Sequence, residues 1–201
     1  MNIAKLIERV RGIVLSPKSE WQKIAAEPAD VKSLFAGYAM ILTAIPALCG
    51  LIGFALITLL LPTVGTIRTP IAAMLVQLVL TYVLGLMALY VVALIVDALA
   101  PTFDGQKSAI QALKLVVYSS TPVWLAGMFV LLPVWGELGI LVALYGLYLL
   151  YVGLAPMMKN PRNKSFGYTA LIIVSYIILA IIVSAVTAAV VNAGMAMRSR
   201  F

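Results

Sequence analysis

The chain contains no histidine and one cysteine, and only seven of its 201 residues are acidic. Without histidine there is no histidine-dependent metal site, no Ser-His intramembrane protease and no histidine-dependent acyltransferase. A single cysteine, Cys49, cannot form an internal disulfide. It lies in an apolar run as a small hydrophobe and is not placed for lipoprotein acylation. Seven scattered acids are too few for a multi-metal carboxylate site. Asp97 is the only acid expected inside a membrane span, so the paired acids of a membrane aspartyl protease are missing. No Gly-x-x-x-x-Gly-Lys phosphate loop occurs. These absences point away from an enzyme, and no catalytic, cofactor or metal-binding residues are assigned.

Charge of either sign is also scarce. Charged residues make up 10% of the chain and hydrophobic ones 64%, against roughly 25% and about 45–50% in soluble domains. That balance excludes an ordinary soluble core and implies a membrane protein. The first thirty residues carry charges throughout and lack a continuous apolar stretch, so they do not read as a secretory signal. The net charge is +7. Its basic residues sit at the ends of apolar runs and not in a patch interleaved with aromatics, so nucleic acid is not an expected partner. The lipid bilayer and its anionic headgroups are.

What remains is long apolar runs. No charge occurs from Ser33 to Ile67 or from Thr69 to Val96, and only Glu137 interrupts Leu115 to Met158. About 20 apolar residues cross a bilayer core. Pro62 and Pro101 offer stops, Pro70 suits a first helical position, and "LPVWGELG" (Leu132 to Gly139) reads as a turn. The expected spans are 34–61, 70–99, 108–132, 137–157 and 165–193. They are too long for membrane strands and do not alternate, so the fold class is an all-α, integral-membrane five-helix bundle.

Lysine and arginine predict its orientation. Lys5, Arg9, Arg11, Lys18, Lys23, Lys32, Lys107, Lys114, Lys159, Arg162 and Lys164 fall on one side, and only Arg68, Arg198 and Arg200 on the other. The richer side is cytoplasmic, which puts the N-terminus inside and the C-terminus outside. Trp21 and Trp135 suit the two interfaces.

Residues 1–30 form a separate segment before the transmembrane domain of residues 31–201. Ile3, Leu6, Ile7, Val10, Ile13 and Val14 recur at helical spacing, with Lys5, Glu8, Arg9 and Arg11 mainly opposite. Ser16 and Pro17 suit the start of a second short helix, on which Trp21 and Ile24 share a face before Pro28 stops it. Both are expected as amphipathic helices on the cytoplasmic surface, apolar face down. The same face (Ile3, Leu6, Ile7, Val10, Trp21, Ile24) could instead meet a partner protein.

Inside the third span, "KLVVYSSTPVWLAGM" (Lys114 to Met128) concentrates polar groups. Lys114 lies roughly 9 Å from the span's cytoplasmic end, near enough to snorkel or to pair with Asp97. Pro122 frees the carbonyl of Tyr118, and the hydroxyls of Ser119, Ser120 and Thr121 could stabilise the resulting kink. The alternative is a polar path lined by Asp97, Lys114, Tyr118, Ser119, Ser120, Thr121 and Pro122. Small residues line Gly139, Ala143, Gly146 and Gly153 in span four and Ala180, Ser184 and Ala188 in span five, which suits close packing or self-association. Tyr145, Tyr148 and Tyr151 read as packing and interhelical hydrogen-bond residues.

Three stretches carry a resemblance. "SPKSEWQKIAAE" (Ser16 to Glu27), "YSSTPVW" (Tyr118 to Trp124) and "YGLYLLYVGLAPMMKNPRNKSFGY" (Tyr145 to Tyr168) are similar, in order and spacing, to the Yip-domain family. They resemble its bacterial inner-membrane branch, the YohC-like proteins. The resemblance implies five spans, a cytoplasmic N-terminus and a C-terminus on the far side. Eukaryotic members are associated with Rab-type GTPases. Their Asp-Leu-Tyr-Gly-Pro motif and long N-terminal region are missing here, which speaks against a Rab-type partner. No catalytic residues carry over. The sequence thus predicts a non-enzymatic multi-pass protein of the bacterial inner membrane, a scaffold that organises membrane or binds other membrane proteins or itself. The alternative is a small transporter or channel.

Overall fold

The structure is a computed structural model that describes residues 3–60, 71–131 and 136–198. Among these residues there are helices and no strand, and five helical stretches are long and apolar enough to cross a membrane. Pro62, Arg68, Pro70, Trp135 and Arg200 lie outside the described residues, as does the first half of the predicted turn, Leu132 to Trp135, while Gly136 to Gly139 are already helical.

Two short helices come first, α1 (Ile3–Leu15) and α2 (Pro17–Ala26). Pro17 opens α2, where its missing N–H costs nothing. Ser16 holds the N-cap position, but its hydroxyl makes no capping bond; its carbonyl instead accepts from the Ser19 hydroxyl at 3.1 Å. Glu27 is extended, as the residue before a proline tends to be, and α2 stops there.

The first membrane helix starts earlier than its apolar run suggests. Asp30 and Ser33 form a reciprocal capping box on α3 (Val31–Leu34). A π-helical turn, Phe35–Ala39, joins it to α4 (Met40–Leu60), which contains Pro46. Next comes α5 (Ile71–Leu99), then a 3₁₀ turn, Ala100–Phe103, that closes on a left-handed Asp104.

The third span is broken, not continuous. It runs as α6 (Ala109–Ser119), α7 (Thr121–Ala126) and a 3₁₀ turn, Gly127–Leu131. It is also the one span that is mostly buried; the other four each bury less than half of their apolar window. Thus α6 and α7 form the axis of the bundle, with α5 and α8 against α6 and with α4 and α8 against α7. The last two spans are α8 (Gly136–Met158) and α9 (Arg162–Arg198).

The small-residue rows divide unequally. Gly146 and Gly153 face the axis: a Cβ on Gly146 would lie 3.2 Å from the Ser119 carbonyl oxygen. Around Gly139 the space is open, and Ala180, Ser184 and Ala188 are exposed on the outside of α9. Only the first two serve packing within the chain.

Candidate functional site

The two N-terminal helices fold into a hairpin that docks on one end of the bundle. Their inward side chains meet protein, not lipid. Trp21 and Ile13 are fully buried and Ile24 nearly so, while Leu6 and Val10 pack against the core at its edge. Trp21 is therefore no interfacial anchor. Its indole lies in a slot on α8 that exists because residue 153 is glycine. A Cβ there would fall 2.6 Å from Trp21 Cε2 and 2.6 Å from Leu115 Cδ1. The edge of Tyr118 closes the slot, with ring centroids 6.5 Å apart.

Helix ends leave carbonyl groups without partners, and the bundle supplies donors to both helices of the hairpin. From α6, Gln111 Nε2 donates to Ala25 O at 3.0 Å, and Lys114 Nζ donates to Ile24 O at 2.9 Å and Glu27 O at 2.5 Å. A cation at a helix C-terminus also meets the favourable end of the helix dipole. From α8, Tyr145 donates to Val14 O at 2.6 Å, near the end of α1. Lys114 therefore neither snorkels nor pairs with Asp97: it is 2% exposed and donates to two backbone carbonyls. Asp97 stays apart on α5, its Oδ1 buried without a hydrogen-bond partner.

A charged cluster knits the hairpin together. Arg9 donates to Glu20 Oε1 at 2.6 Å and to Glu27 Oε2, and Lys23 reaches Glu20 at 3.2 Å. Glu20 approaches so closely because Gly12 has no side chain; a Cβ there would sit 2.6 Å from Glu20 Cδ. The Arg9 guanidinium lies 5.8 Å from the Tyr118 ring centroid, a cation–π distance. Burial alone would lower its pKa, but the bond and charge of Glu27, helped by Glu20, hold it above its ordinary value.

Between hairpin and bundle lies a crevice of about 920 Å³. Arg9, Lys114, Tyr38 and Tyr118 line its inner part, and Lys5, Arg11 and Lys23 contribute charge further out. Tyr38 stands edge-on to Tyr118, centroids 4.7 Å apart, and its hydroxyl pairs with Thr121 Oγ1 at 2.8 Å.

The remaining polar residues of the third span turn inward on the protein. The hydroxyls of Ser119 and Ser120 both donate to Val116 O, at 3.1 and 2.8 Å, and not to the carbonyl of Tyr118 that Pro122 leaves free. Ser120 also pairs with the Tyr176 hydroxyl at 3.2 Å. Pro122 is buried in the first turn of α7. Ser119, Ser120, Thr121 and Pro122 do not line the crevice. They build the break; Lys114 and Tyr118, one turn earlier, border the crevice. Among the described residues no group of three or more histidine, cysteine, aspartate or glutamate side chains could hold a metal.

Neither spacing nor composition marked Arg9, Gln111, Tyr38, Gly12 or Gly153 as members of this site. Gln111 and Lys114 at a spacing of three on one helix were the available signal, since both then reach the same side.

On the outer side of the hairpin, Ile3, Ile7 and Leu15 are 73%, 59% and 67% exposed. They lie on one side of α1 at four-residue spacing, with Arg11 between them.

Among the described residues, four apolar helices around a broken central span, with a charged hairpin seated on one end, define a multi-pass membrane protein. The chain belongs to the Yip1 domain family: the Yip1 domain matches residues 11–186, from within α1 to within α9. No curated protein and no solved structure matched the chain.

Proposed function

We propose that the protein is a non-enzymatic scaffold of the bacterial inner membrane, of the YohC-like branch, with its N-terminus and hairpin in the cytoplasm. Its working surface is the outer face of α1. One observation carries this reading. The bundle holds the hairpin by Trp21, Gln111, Lys114 and Tyr145, yet leaves Ile3, Ile7 and Leu15 uncovered. A rigidly mounted apolar row flanked by Lys5 and Arg11 suits an amphipathic contact with a membrane protein or a second copy. It equally suits seating on anionic headgroups. The absence of the Asp-Leu-Tyr-Gly-Pro motif argues against a Rab-type partner. No observation among the described residues favours the alternative, a transporter or channel with a polar path around Lys114 and Ser119–Thr121: the three hydroxyls bond within the protein and Lys114 holds Ile24 O and Glu27 O.

A photocrosslinking amino acid at Ile7, activated in intact cells, tests the reading. A discrete protein adduct that disappears with Ile3→Asp supports a partner-binding scaffold. Adducts to lipid alone assign the face to the membrane surface. If Ile7 crosslinks to neither, the proposal fails. Deleting the hairpin is the poorer experiment, because it would empty the Trp21 slot and strand Lys114.

A further inference from the structure

We propose that the crevice between hairpin and bundle binds a phosphoester anion, either a water-soluble one or a phospholipid headgroup. The reasoning starts from donors left over. Lys114 has three N–H groups and uses two on Ile24 O and Glu27 O. Arg9 has five and uses one on Glu20 and one on Glu27. The Tyr118 hydroxyl makes no hydrogen bond among the described residues, and the residue, 7% exposed, lines the crevice. All three line the same crevice, so unused donors converge there from α1 and α6.

Charge selects the ligand's sign. The crevice collects Lys5, Arg9, Arg11, Lys23 and Lys114 against Glu8, Glu20 and Glu27, an excess of cations. Neither Lys5 nor Arg11 is in an ion pair among the described residues. Multiple donors around an acceptor-only group match the oxygens of a phosphate. The volume, about 920 Å³, is within the range of small-molecule sites and far exceeds a bare carboxylate.

Glu27 is the group the anion displaces. Its carboxylate is half exposed, whereas Glu20, its fellow acceptor on Arg9, is 9% exposed and wedged against Gly12. On binding, the Glu27 carboxylate moves to water and the phosphoester takes its place on Arg9. Glu20 stays. The crevice borders the exposed row at Lys5, Arg11 and Leu15 but includes neither Ile3 nor Ile7, and the substitutions that test it touch none of these residues, so its failure and that of the scaffold reading are distinguishable.

Two conservative substitutions test this. Tyr118→Phe removes only the unused hydroxyl, and Glu27→Gln removes the competing charge while keeping the backbone carbonyl that Lys114 holds. Full-length protein in detergent is titrated with glycerol 3-phosphate by calorimetry. In parallel, nanodiscs with phosphatidylglycerol or diacylglycerol are compared by native mass spectrometry for lipid retained on the protein. Thermal unfolding confirms that each variant is folded. Tyr118→Phe is expected to weaken binding roughly tenfold, the worth of one hydrogen bond to a charged group, and Glu27→Gln to tighten it. Saturable one-to-one binding of glycerol 3-phosphate with that pattern identifies a soluble phosphoester. Retention of phosphatidylglycerol alone, with the same pattern, identifies a lipid headgroup. No binding in either arm, or binding that ignores both substitutions, overturns the proposal.

Discussion

Lys114 is the residue on which the hairpin's attachment turns. A lysine at the centre of a membrane helix costs about 2.5–3.5 kcal/mol on insertion scales; Lys114 lies nearer the end of its span, and two carbonyls of the N-terminal segment offset the cost there. Charge-assisted hydrogen bonds contribute about 1.5–3 kcal/mol each. Lys114→Ala is therefore expected to loosen α2 from the bundle and to make the Glu27–Asp30 link a faster target for limited proteolysis in detergent. Unchanged cleavage would show that the cap contributes nothing. Gly153 works by sterics. Gly153→Val forces a side chain into the Trp21 slot, and overpacking of that kind costs about 1–3 kcal/mol. In a Trp124→Phe, Trp135→Phe background, the Trp21 emission should then shift to the red as the indole leaves its buried position. Emission fixed at the wild-type wavelength would mean that the slot yields elsewhere.

At the scale of elements, the α3 start is set by a cap and not by hydropathy. The Ser33 hydroxyl and amide hold the Asp30 carboxyl below the usual carboxylate range. Because the folded value lies below the unfolded one, this contribution is present at neutral pH. It is lost as pH falls below about 4. Asp30→Asn should accordingly lower thermal stability at pH 7 and converge with the parent protein near pH 3. A constant offset across that range would remove the carboxylate from the account. The Asp30–Ser33 pair was legible as a capping pattern, yet the long apolar run drew the predicted boundary to residue 34. The break in the third span falls where Pro122 placed the expected kink: Pro122 and the hydroxyls before it divide the span into α6 and α7, a division that run length alone does not show.

The whole molecule is asymmetric. One end carries the hairpin, Lys107, Lys159 and Lys164, the last paired with Asp104 at 2.5 Å. In a Cys49→Ala background, a cysteine at Ser19 should react with a charged thiol reagent only after cells are opened. A cysteine at Asn192, exposed near the far end of α9, should react in intact cells. The reverse pattern would invert the proposed orientation.

Run length and hydropathy by themselves determined the five spans and the all-helical class, because a chain in lipid must satisfy its backbone locally and needs about 20 apolar residues to cross. Helical spacing marked one apolar face for the hairpin, and the structure divides it: Leu6, Val10, Ile13, Trp21 and Ile24 turn inward, while Ile3 and Ile7 stay outside. What covers that face was beyond them. A buried face is the same pattern whether it meets lipid, a partner or the chain's own bundle. Lys114 holds groups 87 and 90 positions away, and only the tertiary structure brought them together, as it did Trp21 and the gap at Gly153.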